Sequence, residues 1–381
     1  MTDLGKTIGE ELSKILTAAE KGGPVVRLGL MASGSELGPE ELVAGARLAD
    51  GDPGLEVVMI GPRIDGFDDL EWIETGDCEA DIAEALDRAL TVGTVAGAVA
   101  LHYPFPLGVT TIGRVLTPGR GRPMLLASST GASAAERLEA MVRNAIYGKA
   151  VAMASGNHDP SVGILNVEGA QLAFRALKRL KDNGYDIRFG ESTRKDGGAV
   201  LRGNDMLAGA VDVCVQDTLT GNVMMKLFSS WTTGGSYESL GWGYGPSTGE
   251  NWRKIISIIS RASGAPVIAG ALRFTAEMVA GDLPGRVAGE LAKAREAGLE
   301  EVLADISPKP HQEENVSPPP QEPTGEELHG VDVLSIEAAV RALWKEGIYA
   351  ESAMGCTGPV VKAPARVLED AKRILEEKGY L

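Results

Sequence analysis

The chain has 381 residues, 44% hydrophobic and 24% charged, with a formal net charge of −16. That composition belongs to a globular protein with a large core and room for two domains. The negative balance argues against a sequence-independent grip on nucleic acid or an anionic membrane, and no apolar run reaches the roughly 18–20 residues that span a bilayer.

The opening stretch MTDLGKTIGEELSKIL is acidic where a secretory leader is basic and apolar. Three scattered cysteines make no disulfide framework. The simplest compartment is the cytosol. Leu4, Ile8, Leu12 and Ile15 recur at helical spacing, so residues 3–20 are expected to form an amphipathic helix, ended by Gly22-Gly23-Pro24.

Strand and helix signals then alternate. VVRLGLMA (25–32) reads as a strand followed by the turn Ser33-Gly34-Ser35, Pro39–Ala49 as a helix, and LEVVMIG (55–61) as a strand. Residues 79–92 read as a helix, and VAGAVAL (95–101) and MLLAS (124–128) as strands. Ser133 and Glu136 match a capping box that opens a helix to about Tyr147. SVGILNV (161–167) is a strand, Gly169–Asp182 a helix, and DIRFG (186–190) a strand. The continuous apolar run Val211–Val215 suits a parallel strand covered on both faces. Asn251–Ala262, with Ile255, Ile256, Ile258 and Ile259, reads as a helix. Such alternation predicts a three-layer α/β/α fold around a largely parallel sheet.

Residues 305–325, rich in proline and polar residues, have little to bury and read as a linker or surface loop. Ile336–Trp344 and Pro364–Lys378 look helical beyond it. The expected organisation is an N-terminal helix (1–22), an α/β core (23–304), a linker or loop (305–330) and a C-terminal extension (331–381).

The tract Leu201–Leu227 carries the sharpest chemical signal. Its strand leads through a polar loop to Gly221-Asn222, with Asn222 a candidate N-cap for a helix beginning at Val223. Free N–H groups at such a helix start, with Lys226 nearby, suit a phosphate-sized anion; an ordinary capped connection is equally open. The Ser33–Ser35 turn can likewise offer backbone N–H groups to phosphate or be a plain turn. His158 stands in the loop Asn157-His158-Asp159, where a solvated imidazole and a proton donor are both compatible with the sequence. Asn166 and Asn204 are candidates for holding ligand or for structural hydrogen bonds.

The cysteines differ in setting. Cys78 is flanked by Asp77 and Glu79, which raise a thiol's pKa, and Cys214 lies inside an apolar strand. Cys356 sits among glycines with Lys362 downstream and no adjoining acid. The Trp231–Trp252 stretch holds three of the five tryptophans and reads as a partner surface or as a plain loop. No G-x-G-x-x-G follows a strand, no Walker A sequence or G-x-S-x-G elbow is present, and the scattered histidines and cysteines have no metal spacing. No cofactor and no metal are expected.

MASGSELGPEELVAGARLA (31–49), GRPMLLAS (121–128), YGKAVAMASGNHDPSVGILNVEG (147–169) and LRGNDMLAGAVDVCVQDTLTGNVMMK (201–226) are similar, in order, to the phosphate acyltransferases of phospholipid synthesis, the PlsX family. The likeness covers roughly residues 25–280 and implies their fold, which is isocitrate/isopropylmalate dehydrogenase-like. Asn166 and Asn204 match family positions. The N-terminal helix, the 229–252 insertion and the extension with AMGCTGPVVK (353–362) depart from that pattern. In these departures the chain resembles the alpha subunits of glycine/sarcosine/betaine reductase component C. That resemblance implies an acetyl thioester on Cys356, derived from a carboxymethyl-selenoprotein and released by inorganic phosphate as acetyl phosphate. It further implies a component C beta subunit and selenoprotein A as partners in a hetero-oligomer. A stand-alone acyltransferase using acyl carrier protein or coenzyme A, and a non-catalytic scaffold, are the competing expectations.

Overall fold

The computed structural model describes residues 25–194, 197–306, 316–332, 335–355 and 358–381. The helix expected over residues 3–20 lies outside them, as do residues 307–315 of the proline-rich segment and Cys356.

Strands and helices follow one another in the order β1 (Val26–Met31), α1 (Pro39–Asp50), β2 (Leu55–Gly61), β3 (Glu71–Glu74), α2 (Glu79–Thr91), β4 (Gly97–Ala100), β5 (Val109–Leu116) and β6 (Pro123–Ala132). Then come α3 (Arg137–Ala154), β7 (Ser161–Leu165), α4 (Ala170–Asp182), β8 (Arg188–Phe189), β9 (Val200–Leu201), α5 (Gly203–Ala208), β10 (Val213–Val215) and α6 (Thr218–Ser230). The core closes with β11 (Gly245–Gly249), β12 (Ile256–Ile258), α7 (Ala265–Ala280), α8 (Leu283–Glu296) and α9 (Leu299–Ile306).

These strands form one twelve-stranded sheet in the order β3-β2-β1-β4-β12-β11-β5-β6-β10-β7-β8, with β9 also pairing to β7. Most pairings are parallel. The exceptions lie at the centre, where β11 is antiparallel to both β12 and β5, and β5 to β6. Two parallel halves therefore run in opposite directions on either side of an antiparallel middle. Helices cover the sheet; β4 and β10 are wholly buried, and β1 and β6 are buried over most of their length, as strands covered on both faces must be.

The expected helix Asn251–Ala262 is instead strand β12, inserted between β4 and β11. Its isoleucines are β-branched and stiff at χ1, and both faces of the run are covered: Ile255, Ile256, Ile258 and Ile259 are all buried. Burying each such side chain contributes about 1.5–3 kcal/mol, enough to override a weak helical spacing. The capping-box helix also differs. It begins at Arg137 after Glu136 and runs to Ala154, because α3 is buried over most of its length and continues as far as it has partners. Within it, Lys149 pairs with Glu290 of α8 at 2.7 Å, both side chains being almost fully buried.

A separate three-stranded antiparallel sheet, β13 (Glu326–Leu328), β15 (Gly358–Ala363) and β14 (Glu351–Gly355), packs with α10 (Ile336–Lys345) and α11 (Leu368–Glu377). Leu328, Val340, Leu343, Val361 and Leu375 form an apolar cluster of its own there. No described helix is long and apolar enough to cross a membrane.

Candidate functional site

Helix α6 starts one turn earlier than its sequence suggested. Asp217, not Asn222, is the N-cap: its carboxylate accepts the Thr220 N–H at 3.0 Å and the Thr220 hydroxyl at 2.6 Å. Gly221 and Asn222 lie inside the helix, and the Gly221 N–H already donates to the Asp217 carbonyl at 3.0 Å. It is the N–H groups of Thr218 and Leu219 that stand at the helix start.

The glycine serves packing. A Cβ on Gly221 would lie 1.8 Å from the Ser128 carbonyl oxygen, so only glycine lets α6 rest directly on the β6 backbone. The contact is fastened on both sides. Gln216 Nε2 donates to the Ser128 carbonyl at 2.7 Å, and Asn222 Nδ2 to the Ser129 carbonyl at 3.0 Å. Hydroxyls continue the link, with Thr110 donating to Ser128 at 2.5 Å and Ser128 lying 3.2 Å from Thr218.

So anchored, α6 borders a cleft of about 340 Å³ whose opposite walls are the segments following β4 and β12. Asn222 and Lys226 face it from the helix, His102 and Tyr103 from behind β4, and Ser260 and Arg261 from behind β12. Lys226 Nζ stands 5.9 Å from the centre of the Tyr244 ring. Among the described residues no carboxylate lies within 4 Å of Lys226, whereas Arg261 pairs with Glu79 at 3.3 Å across the surface. An amine, a guanidinium, an imidazole and one side-chain amide, with the carboxylate of Glu36, thus line one opening in a chain of net charge −16. Tyr103, Phe105 and Leu101 give the cleft an apolar side.

A family described as fatty acid synthesis protein matches residues 26–362. The glycine/sarcosine/betaine reductase complex component C subunit alpha of Peptoclostridium acidaminophilum is 48% identical over 387 residues, covering all of both chains. The chain belongs to this component C alpha family. A phosphate acyltransferase of Thermotoga petrophila is 28% identical over 236 residues, 53% of this chain and 67% of that one. The crystal structure of a branched-chain phosphotransacylase from Enterococcus faecalis V583 aligns with a TM-score of 0.47 at 17% identity, covering 67% of this chain and 99% of that one.

Of the residues singled out in this component C alpha family member, the structure gathers Asn222 and Lys226 at the cleft, with Gly221 behind them. The Ser33–Ser35 turn adjoins it: Glu36 lines the cleft and its N–H donates to the Arg261 carbonyl at 2.8 Å, while Ser35 Oγ accepts the Leu37 N–H at 3.2 Å. Asn166 follows the C-terminal end of β7 and is exposed, outside the cleft lining. His158 is not brought there. It precedes the N-terminal end of β7, whereas the parallel strands β6 and β10 deliver Ser128 and Asp217 at their C-terminal ends. His102, Arg261 and Glu36 went unrecognised in the sequence. The available signal was position alone, since each follows a strand of the same parallel half, where ligands of open α/β sheets collect.

Cys214 is fully buried, its thiol pushed well above the ordinary range by burial, and its Sγ lies 3.1 Å from Met206 Sδ. Cys78 is exposed at the start of α2. Strands β14 and β15 pair from Glu351–Lys362 to Gly355–Gly358, and Cys356 and Thr357, between them in sequence, lie outside the described residues. Lys362 is engaged by Glu327 at 3.5 Å.

The Trp231–Trp252 stretch is not a loop laid on the surface. It supplies the central strand β11, and Trp252 packs edge-on against Tyr103 and Phe105 with ring centres 6.3 and 5.9 Å apart. Trp231 and Tyr237 are the exposed part, continuing a row of exposed apolar residues on α6: Leu219, Val223 and Leu227.

Proposed function

We propose that this chain transfers an acyl group to inorganic phosphate, and that the group is an acetyl held as a thioester on Cys356. The observation carrying the reading is the Lys226 ammonium, without a carboxylate within 4 Å among the described residues, facing the same cleft as Asn222, His102 and Arg261. A doubly charged phosphate entering there meets donors already in place, which matters more than a strong base because the phosphate is itself the nucleophile at neutral pH. A phosphate oxygen attacks the thioester carbonyl, the C–S bond breaks, and acetyl phosphate leaves as the Cys356 thiolate recovers a proton. Lys226 neutralises the charge gathering on phosphate. Backbone N–H groups at Gly355–Thr357 serve the carbonyl oxyanion, and Ser33 and Ser35 remain proposed phosphate contacts from the turn beside the cleft.

The names of the relatives support this assignment: one is a subunit of a reductase complex, the other a phosphate acyltransferase. By the same reasoning the chain works beside a component C beta subunit, and the carboxymethyl group of a partner selenoprotein is the acetyl source: the C–Se bond breaks, the carbon is reduced to a methyl group as the selenium and a thiol of that partner are oxidised to a selenenyl sulfide, and water leaves as the carboxyl joins the Cys356 sulfur. The test is arsenate-dependent breakdown of acetyl phosphate by the full-length chain, since acetyl arsenate hydrolyses spontaneously. Turnover by the wild type and none by Cys356→Ala is the expected result. Turnover retained in Cys356→Ala moves the chemistry to direct transfer from a soluble thioester. Absence of turnover and of phosphate binding in the wild type would leave a scaffold.

A further inference from the structure

The Gly/aromatic stretch before β11 buries an acid directly behind the cleft. Glu238 is 3% exposed, and its backbone is tied on both sides. It forms a parallel bridge with Ser263, its N–H donating to the Ala262 carbonyl at 2.9 Å and its carbonyl accepting the Gly264 N–H at 2.9 Å. On the other side the Ser239 N–H donates to the Ser229 carbonyl at the end of α6, again at 2.9 Å. The segment around Glu238 therefore spans the two walls that carry the cationic groups.

Its surroundings are specific. The buried Ser263 hydroxyl donates to Glu238 Oε2 at 3.5 Å and accepts the Ser260 N–H at 3.1 Å, while the buried Ser229 hydroxyl donates to the Lys226 carbonyl at 3.2 Å. Lys226 on α6 and Tyr244, just before β11, interact with it electrostatically. Burial pushes the Glu238 carboxyl above the usual range, with the serines and Lys226 opposing. Ser260, Lys226 and Tyr244 are themselves cleft-lining residues. A buried acid with no ion pair within 4 Å among the described residues costs stability, and such groups persist where they fix the geometry of what they touch.

We propose that Glu238 is a positioning residue for phosphate: through Ser263 its buried carboxyl fixes the loop that carries Ser260 and Arg261, and through the Ser239 backbone it ties that loop to the end of α6, the helix that carries Lys226. The proposal rests on the acyl-transfer reading of that cleft. It also gives the 229–252 insertion a role inside the site, as the segment that locks α6 to the loop after β12.

The test uses the full-length chain, with inorganic phosphate titrated calorimetrically and arsenate-dependent breakdown of acetyl phosphate followed in parallel. Glu238→Ala is expected to raise the phosphate Kd and the arsenate KM about tenfold, the scale of a modest misplacement of a binding group. Glu238→Gln keeps the length and one acceptor oxygen, so it is expected to recover most of that loss. Full recovery of both constants in Glu238→Ala, with Kd and KM within about twofold of wild type, overturns the proposal. Should Glu238→Ala fail to fold, Glu238→Leu and Ser263→Ala decide: a threefold or greater rise in Kd in either, on the order expected for one weakened hydrogen bond, supports it, and values within about twofold of wild type in both overturn it. A wild-type chain that binds no phosphate overturns the acyl-transfer reading itself. A wild type that binds it with no response in the variants overturns only the role of Glu238.

Discussion

Gly221 and Ser128 touch backbone to backbone: a Cβ on the glycine would stand 1.8 Å from the serine's carbonyl oxygen. This is the contact that places Asn222 and Lys226, because everything α6 presents to the cleft is referenced to the β6 backbone through it.

Gly221→Ala tests that dependence. Alanine in a helix gains about 1 kcal/mol over glycine, but the obstacle is a strand carbonyl that cannot rotate aside, and overpacking of this kind costs about 3 kcal/mol. A net loss of about 2 kcal/mol is expected in urea denaturation. Acyl transfer is expected to fall further than stability at a temperature where the variant is folded, since the helix must lift and carry Lys226 with it. A variant as stable and active as wild type would show that α6 is not held by this contact.

Lys149 and Glu290 form a buried pair whose acid also accepts Tyr185 at 3.0 Å and Lys293 at 2.8 Å. Burial alone would raise Glu290, but the hydrogen bonds from Lys149 and Lys293 outweigh it and hold the carboxyl below its ordinary value. A depressed folded-state pKa means that the contribution to stability is present above the unfolded value, about 4.3, and is lost as the pH falls through the folded one. Lys149→Met is expected to cost up to about 3 kcal/mol at pH 7, because it removes the buried partner of a buried carboxylate and leaves the more exposed Lys293 to offset its charge. The deficit should shrink as the pH falls below about 4 and the acid becomes neutral. The pair replacement Lys149→Met with Glu290→Leu should recover much of the loss. Denaturation curves of the three variants across pH decide the point.

Much of the layered fold was legible in the chain. The runs 25–32, 55–61 and 161–167 are short, apolar and bounded by turn residues, and they became β1, β2 and β7. What failed was period reading in the middle of the sheet. Residues 255–259 carry four isoleucines in five positions, a pattern that fits a helix face and a doubly covered strand alike, and only the presence of β4 and β11 on either side selects the strand. The α6 start was missed because two good caps, Asp217 and Asn222, lie five residues apart, and tertiary packing of Gly221 decides between them. Lys226 and Asn222 were visible as a motif. Glu238 was not, since nothing in Tyr237-Glu238-Ser239 announces a buried acid; its burial arises from the bridge to Ser263, far along the chain.

The cysteines should separate by reactivity. Cys214 is enclosed and its thiol is held protonated by burial, so it should resist iodoacetamide at pH 8 until the protein unfolds. Cys78 is exposed and should label at the rate of a surface thiol. On the proposed mechanism Cys356 labels faster than Cys78, and prior incubation with acetyl phosphate protects it. Mass-spectrometric mapping of the alkylated sites over time checks all three; a Cys356 that labels no faster than Cys78 and gains no protection would count against the thioester.

Lys226 offers the sharpest separation of binding from folding. It is exposed, has no ion-pair partner among the described residues, and its ammonium stands 5.9 Å from the centre of the Tyr244 ring. Lys226→Ala should therefore leave stability within about 0.5 kcal/mol of wild type. Its effect on transfer should be large, because an ammonium aimed at a developing charge in a partly enclosed cleft is worth about 10²-fold in rate. Arg261→Ala should cost less, since that guanidinium is already shared with Glu79 at 3.3 Å. Lys226→Arg keeps the charge but changes a compact point donor into a planar fork, so partial recovery of phosphate affinity with a lower kcat is expected. Kinetics for phosphate or arsenate in the three variants test the order. Equal losses in Lys226→Ala and Arg261→Ala would mean that the cleft reads net charge rather than the position of one amine.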